Sequence, residues 1–147
     1  MAGVDPAAGK GCKARGQAVV EFAVVLPVLL LLLIGSVNMG LMINAQMELT
    51  QAAWEGARAG ATLVDPTSGD SEIYGAVDSA LNSLDPSRLM IDIDPEADEW
   101  PRTEPWPLPR GHPISVTLQY DFPLYLPGAV QVPLQAKAVS RMEYQNP

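Results

Sequence analysis

Cysteine and histidine are almost missing from this chain: its 147 residues include one of each, Cys12 and His112. A lone cysteine excludes an intrachain disulfide. One cysteine and one histidine also make no zinc-ligand pattern, so any folded part must hold itself by packing. Catalysis finds little support. His112 stands beside Pro113 in a proline-rich stretch, and no carboxylate pair is placed in a pocket by its spacing. The expectation is a protein that is not an enzyme and uses no cofactor and no metal. Basic residues are scarce too, with 9 Lys and Arg against 17 Asp and Glu, for a net charge of −8. From Val64 onward there are thirteen acids and five bases. Such a surface repels nucleic acid.

Charge of either sign is absent from Phe22 to Met47, a run of 26 residues. A helix needs roughly 20 apolar residues to cross the hydrocarbon layer, so this run reads as a membrane span. Lys10, Lys13 and Arg15 precede it against Asp5 alone. Basic flanks stay on the cytoplasmic side, which predicts a single-pass protein of the cytoplasmic (inner) membrane with its N-terminus inside and its C-terminus exported. The run is too long for the core of a secretory signal, and Ile43-Asn44-Ala45 is a poor cleavage site. Lipoprotein processing needs a cysteine after the apolar run, whereas Cys12 precedes it. Glu21 stands just inside the start of the span. A carboxylate there costs a few kcal/mol unless it sits at the interface or finds a cation.

The chain divides into residues 1–16, a leader expected to be disordered or removed; 17–63, one transmembrane and stalk helix; and 64–147, a small exported α+β domain. Pro27 interrupts the helix with a local kink that membrane helices tolerate. Beyond the span, Glu48, Gln51, Glu55, Arg58 and Thr62 recur at helical spacing, with Leu49, Ala53, Gly56, Gly60 and Leu63 on the other side. Unbroken to Leu63, this helix would be a rod on the order of 70 Å. A second helix is expected over Ser71–Leu84, capped by Asp70. Three strands follow: Leu89–Ile93, the cleanly alternating Ile114–Phe122, and Leu134 to about Tyr144. They make a small antiparallel sheet. Asp94–Pro113, with six prolines and two tryptophans, reads as a long surface loop.

The run Gly16-Gln17-Ala18-Val19-Val20-Glu21-Phe22, followed by Pro27 and later by Gln51-Ala52-Ala53-Trp54-Glu55-Gly56-Ala57-Arg58-Ala59-Gly60-Ala61, resembles the TadE-like family. These are pilin-like proteins, pseudopilins or minor pilins, of the tight-adherence (Tad/Flp) type IV pilus system. The likeness covers residues 15 to 62. Phe22 stands where Flp-type pilins usually carry Tyr, so an aromatic is retained. The resemblance implies cleavage between Gly16 and Gln17 by a prepilin peptidase. It also implies assembly through Glu21 and Phe22 with other pilin subunits, and extraction driven by an assembly platform and its ATPase, for pilus biogenesis and surface adherence. The physics agrees, because the freed amine of Gln17 is a cation and a carboxylate near a helix N-terminus is favoured by the helix dipole. Such a pair helps only between subunits.

Other readings stand beside these. Glu21 alone suits an ordinary anchor snorkelling to the interface, which makes the alternative a single-pass, membrane-anchored binding domain that never enters a pilus. The small-residue face of Ala53, Gly56, Ala57 and Gly60 lets a helix approach closely, either to the protein's own sheet or to another subunit. Asp92, Asp94, Glu96, Asp98 and Glu99 suggest calcium, but counting from Asp92 the EF-hand's glycine and final acid fall on Ala97 and Thr103. A solvated acidic loop is the simpler reading, and a calcium-dependent adhesin the other. Trp100 and Trp106 form either a partner-binding patch or a cover for the core.

Overall fold

The computed structural model describes residues 10–63, 69–104, 107–125 and 130–143. Leader residues 1–9, Trp106 and Tyr144 lie outside them. The elements are α1 (Lys10–Ala61), α2 (Ser71–Ala80), a 3-10 turn (Pro86–Arg88), β1 (Leu89–Asp94), β2 (Pro113–Pro123) and β3 (Gln131–Arg141). This is an α+β protein with one long apolar helix, one short helix and a three-stranded antiparallel sheet ordered β1-β2-β3. The chain divides into two units, Met1–Met39 and Gly40–Pro147.

In the first unit α1 starts at Lys10, so the part of the leader from Lys10 to Gly16 is helical and not shapeless. Pro27 lies inside α1, which continues past it. Every residue from Gly16 to Val37 is exposed. Those 22 residues rise about 33 Å at 1.5 Å each, which matches a hydrocarbon layer of about 30 Å. Two polar side chains near the end of this stretch turn back on the helix. Ser36 Oγ donates to Leu32 O at 2.8 Å and Asn38 Nδ2 to Ile34 O at 2.9 Å. Each thereby satisfies a donor within the helix itself.

The second unit claims the end of the apolar run. Ala45 and Leu49 are buried and Met42 is half-buried against the core. The exposed part of the run is therefore shorter than Phe22–Met47. Ala45, Leu49, Ala52, Ala53, Gly56, Ala57 and Gly60 repeat at helical intervals and form one buried stripe. It packs with Ile73 and Val77 of α2 and with the inner face of the sheet, where Ile114, Val116, Leu118, Tyr120 and Phe122 of β2 alternate inward. Register puts Val116 opposite Ile93 and Ala138, and Leu118 opposite Ile91 and Ala136. The short side chains of these β3 alanines leave room on the inner face for a helix of small residues to lie close.

Boundaries moved where tertiary contacts outbid local preference. α2 stops at Ala80 and not at Leu84, and Leu81 N bonds Asp78 O as it ends. β3 starts at Gln131, with Pro133 tolerated because β3 is an edge strand. The stretch between β1 and β2 is more than a surface loop, since Pro95, Pro101, Arg102 and Pro109 are buried. Ser115 and Thr117, on the outer face of β2, are buried as well.

Candidate functional site

Gly16, Gln17, Glu21 and Phe22 lie on α1 with their surfaces open. The four-residue spacing sets Gln17 and Glu21 on one helix face, one turn apart. A Cβ added at Gly16 would meet nothing within 4 Å. Among the described residues nothing therefore requires glycine there. Glycine in a helix interior costs about 0.8–1.0 kcal/mol relative to alanine.

The small-residue face is used within the chain. A Cβ on Gly56 would fall 2.6 Å from Val77 Cγ2 and 3.4 Å from Val116 Cγ1. One on Gly60 would fall 2.8 Å from Ile114 Cδ1 and 3.0 Å from Ile73 Cδ1. Ala53 and Ala57 are fully buried beside them. These four residues seat α1 on α2 and β2, and this stretch of the face is taken up by the protein's own domain.

Two polar anchors escaped the sequence reading. Glu48, on α1 beyond the exposed apolar segment, accepts hydrogen bonds from the backbone N–H of Asn82, from Ser83 N at 2.7 Å, from Ser83 Oγ and from Leu84 N at 3.3 Å. Partial burial pushes its carboxyl up, but the hydrogen bonds, led by the Ser83 hydroxyl, outweigh it and hold the group below the ordinary 4.5. Drawing three successive amides to one carboxylate is what ends α2 early. The second anchor is Arg102, fully buried, whose Nη1 pairs with Asp70 Oδ1 at 2.5 Å and also donates to Pro95 O at 3.1 Å. Asp70 occupies the N-cap position of α2, yet its side chain makes no capping bond there. Its backbone O still accepts from Tyr74 N at 2.9 Å. The carboxylate serves the arginine, tying the β1–β2 connection to α2. No sequence signal marks either anchor, because the partners lie more than thirty residues apart.

The acids considered for calcium are spread along β1 and the turn after it. Glu99 accepts from Glu96 N at 3.1 Å. Among the described residues no group of three or more His, Cys, Asp or Glu is arranged to hold a metal ion. Asp85 accepts from Ser87 Oγ at 2.8 Å and Ser87 N at 3.0 Å, and those bonds lower its carboxyl below the ordinary value.

One apolar helix long enough to cross a membrane, near the N-terminus, and a small domain of a short helix and a three-stranded sheet define the class: an α+β protein with a candidate membrane anchor. Residues 16–58 match the model of a known family, TadE-like protein, which associates the chain with the Tad pilus system. The match starts at Gly16 and ends within the small-residue face, and residues 59–147 lie outside it. No curated protein and no solved structure matches the chain.

Proposed function

We infer that this protein is a minor pilin or pseudopilin of a Tad/Flp-type pilus, made as a membrane precursor and assembled through its N-terminal helix. The observation that carries the reading is the helix Gly16–Val37: apolar, exposed all round, and opening on a glycine that no packing requires. Hydrolysis of the Gly16–Gln17 peptide bond by a prepilin peptidase releases the Gly16 carboxyl group on the leader and a free amine on Gln17. In the precursor α1 begins at Lys10, which puts Glu21 about three turns in. Cleavage shifts the helix start to Gln17 and brings Glu21 near the positive end of the dipole. The Glu21 carboxylate then pairs with the Gln17 amine of an adjacent subunit. On extraction, packing among like helices takes the place of the surrounding lipid, with Phe22 beside the pair. The N-terminus lies in the cytoplasm and the domain is exported, as the basic leader directs.

N-terminal sequencing of the membrane-extracted protein tests the first step. The mature chain begins at Gln17 in cells that hold the peptidase, and Gly16→Ile leaves the leader attached without disturbing the fold, since the site has open space. Glu21→Ala is still processed, but less of it is recovered in sheared pili. A chain that retains residues before Gln17 supports the membrane-anchored binding domain instead, and undiminished recovery of Glu21→Ala removes the assembly role.

A further inference from the structure

The outer face of the sheet, away from α1, carries a cleft of about 350 Å³ whose lining includes Asp94, Pro95, Trp100, His112, Ser115 and Lys137. Strand register assembles it. Asp94 at the end of β1 stands opposite Ser115 of β2, and the neighbouring pair Thr117–Lys137 brings an ammonium from β3 to the same end. Trp100 reaches it from the β1–β2 connection. The Trp100 and His112 rings meet edge to face, with centroids 4.9 Å apart and planes at 76°, and the indole stays 61 % exposed. The connection is braced from beneath by buried Arg102, bonded to Asp70 and to Pro95 O. The cleft is therefore formed before anything enters it. Among the described residues the side chains of Asp94, Ser115 and Lys137 have no hydrogen-bond or ion-pair partner.

The geometry points to a saccharide site that takes a neutral sugar residue. A carboxylate only accepts hydrogen bonds and an ammonium only donates them. An anionic ligand meets Asp94 and a cationic one meets Lys137, whereas the several neutral hydroxyls of a sugar donate to the one and accept from the other. The exposed indole offers an apolar platform for the C–H face of a sugar ring, with a polar edge beside it. The size lies at the lower end of the roughly 300–1,000 Å³ of small-molecule sites, suited to a terminal sugar rather than a length of polypeptide. A proline-rich peptide needs a run of aromatic walls, and among the described residues of the lining Trp100 alone carries an indole. The site belongs to the Gly40–Pro147 unit and uses nothing of the exposed apolar helix, so its failure leaves the assembly reading untouched.

The test is a titration of the full chain, ¹⁵N-labelled and held in a detergent without sugar headgroups, with the methyl glycosides of D-mannose, D-galactose and N-acetyl-D-glucosamine. The indole N–H signal of Trp100, assigned from Trp100→Phe, is followed. At least one glycoside shifts that signal with a dissociation constant of about 1 mM or tighter, and Asp94→Asn and Lys137→Gln each weaken it about tenfold or more with unchanged melting temperature. The inference is overturned if none of the three moves the signal. It is equally overturned if binding survives both substitutions, or if a proline-rich decapeptide or inorganic phosphate shifts the signal in their place.

Discussion

Gly56→Ala asks whether α1 is seated on α2 and the sheet as closely as the structure has it. Alanine outranks glycine in a helix interior by about 0.8–1.0 kcal/mol, so at an open site the change stabilises. At Gly56 the new Cβ stands 2.6 Å from Val77 Cγ2 and 3.4 Å from Val116 Cγ1, whereas carbon pairs rest at roughly 3.5–4.0 Å. Val77 cannot swing aside. It is β-branched, which leaves essentially one rotamer in a helix, and it is fully buried. One of the two helices must move, and overpacking of this kind costs about 1–3 kcal/mol. After the propensity gain, a net loss of about 1 kcal/mol is expected, with up to 2 where little can relax. Gly75 is the internal control, because it lies inside α2 and a Cβ there meets nothing within 4 Å. Gly75→Ala should gain about 0.5–1 kcal/mol. Thermal unfolding of the full chain in detergent, followed by near-ultraviolet circular dichroism, reads both, at about 4–8 °C per kcal/mol for a domain near this size. The midpoint should fall for Gly56→Ala and rise for Gly75→Ala. A rise at both positions would refute the close seating.

Asp70→Ala leaves Arg102 charged and fully buried without its carboxylate, and should cost about 3–5 kcal/mol, whereas Arg102→Met together with Asp70→Ala should restore part of that loss; denaturant midpoints decide, and additive losses would contradict the pairing. Glu48→Gln keeps the shape but loses the ionised acceptor, and should lower stability by about 1–2 kcal/mol at neutral pH, discounted for partial exposure. Because the folded-state value for Glu48 lies below the unfolded 4.5, its contribution is complete above that pH and fades as pH falls through the folded value. Wild type should therefore lose more stability than Glu48→Gln when acidified below about pH 4.5, and parallel acid profiles would exclude the effect. Asp85→Asn, which removes a carboxylate held low by Ser87, should weaken the same acid dependence far less, since the group is fully exposed.

Much of the architecture could be read from periodicity. The apolar run, the alternation of Ile114 to Phe122 and the small residues from Ala52 to Ala61 each have one natural solution: a lipid-length helix, a one-face-buried strand and a close helix contact. Local rules misplaced the end of α2, because they do not know that Glu48 waits for the amides of Asn82, Ser83 and Leu84. They also assigned Asp70 to a cap, which is its usual role, when a buried arginine from the next connection takes its carboxylate. The proline-rich connection looked like surface because prolines and acids seldom enter cores. It is instead pinned by Arg102, and its Pro95 and Trp100 line one cleft with Ser115 of β2.

Sequence by itself determined what lies along the chain: where charge stops and lipid-length apolarity begins, where a glycine precedes an acid by five residues, and which strand faces are oily. Those properties are local and periodic, so neighbours in the chain carry them. Tertiary structure alone decided that the small-residue face goes to the protein's own sheet, how much of the apolar run stays exposed, and that Asp94, Trp100, His112, Ser115 and Lys137 line one cleft. Such groupings depend on strand register and on a buried ion pair across 32 residues, and no window of sequence holds both ends.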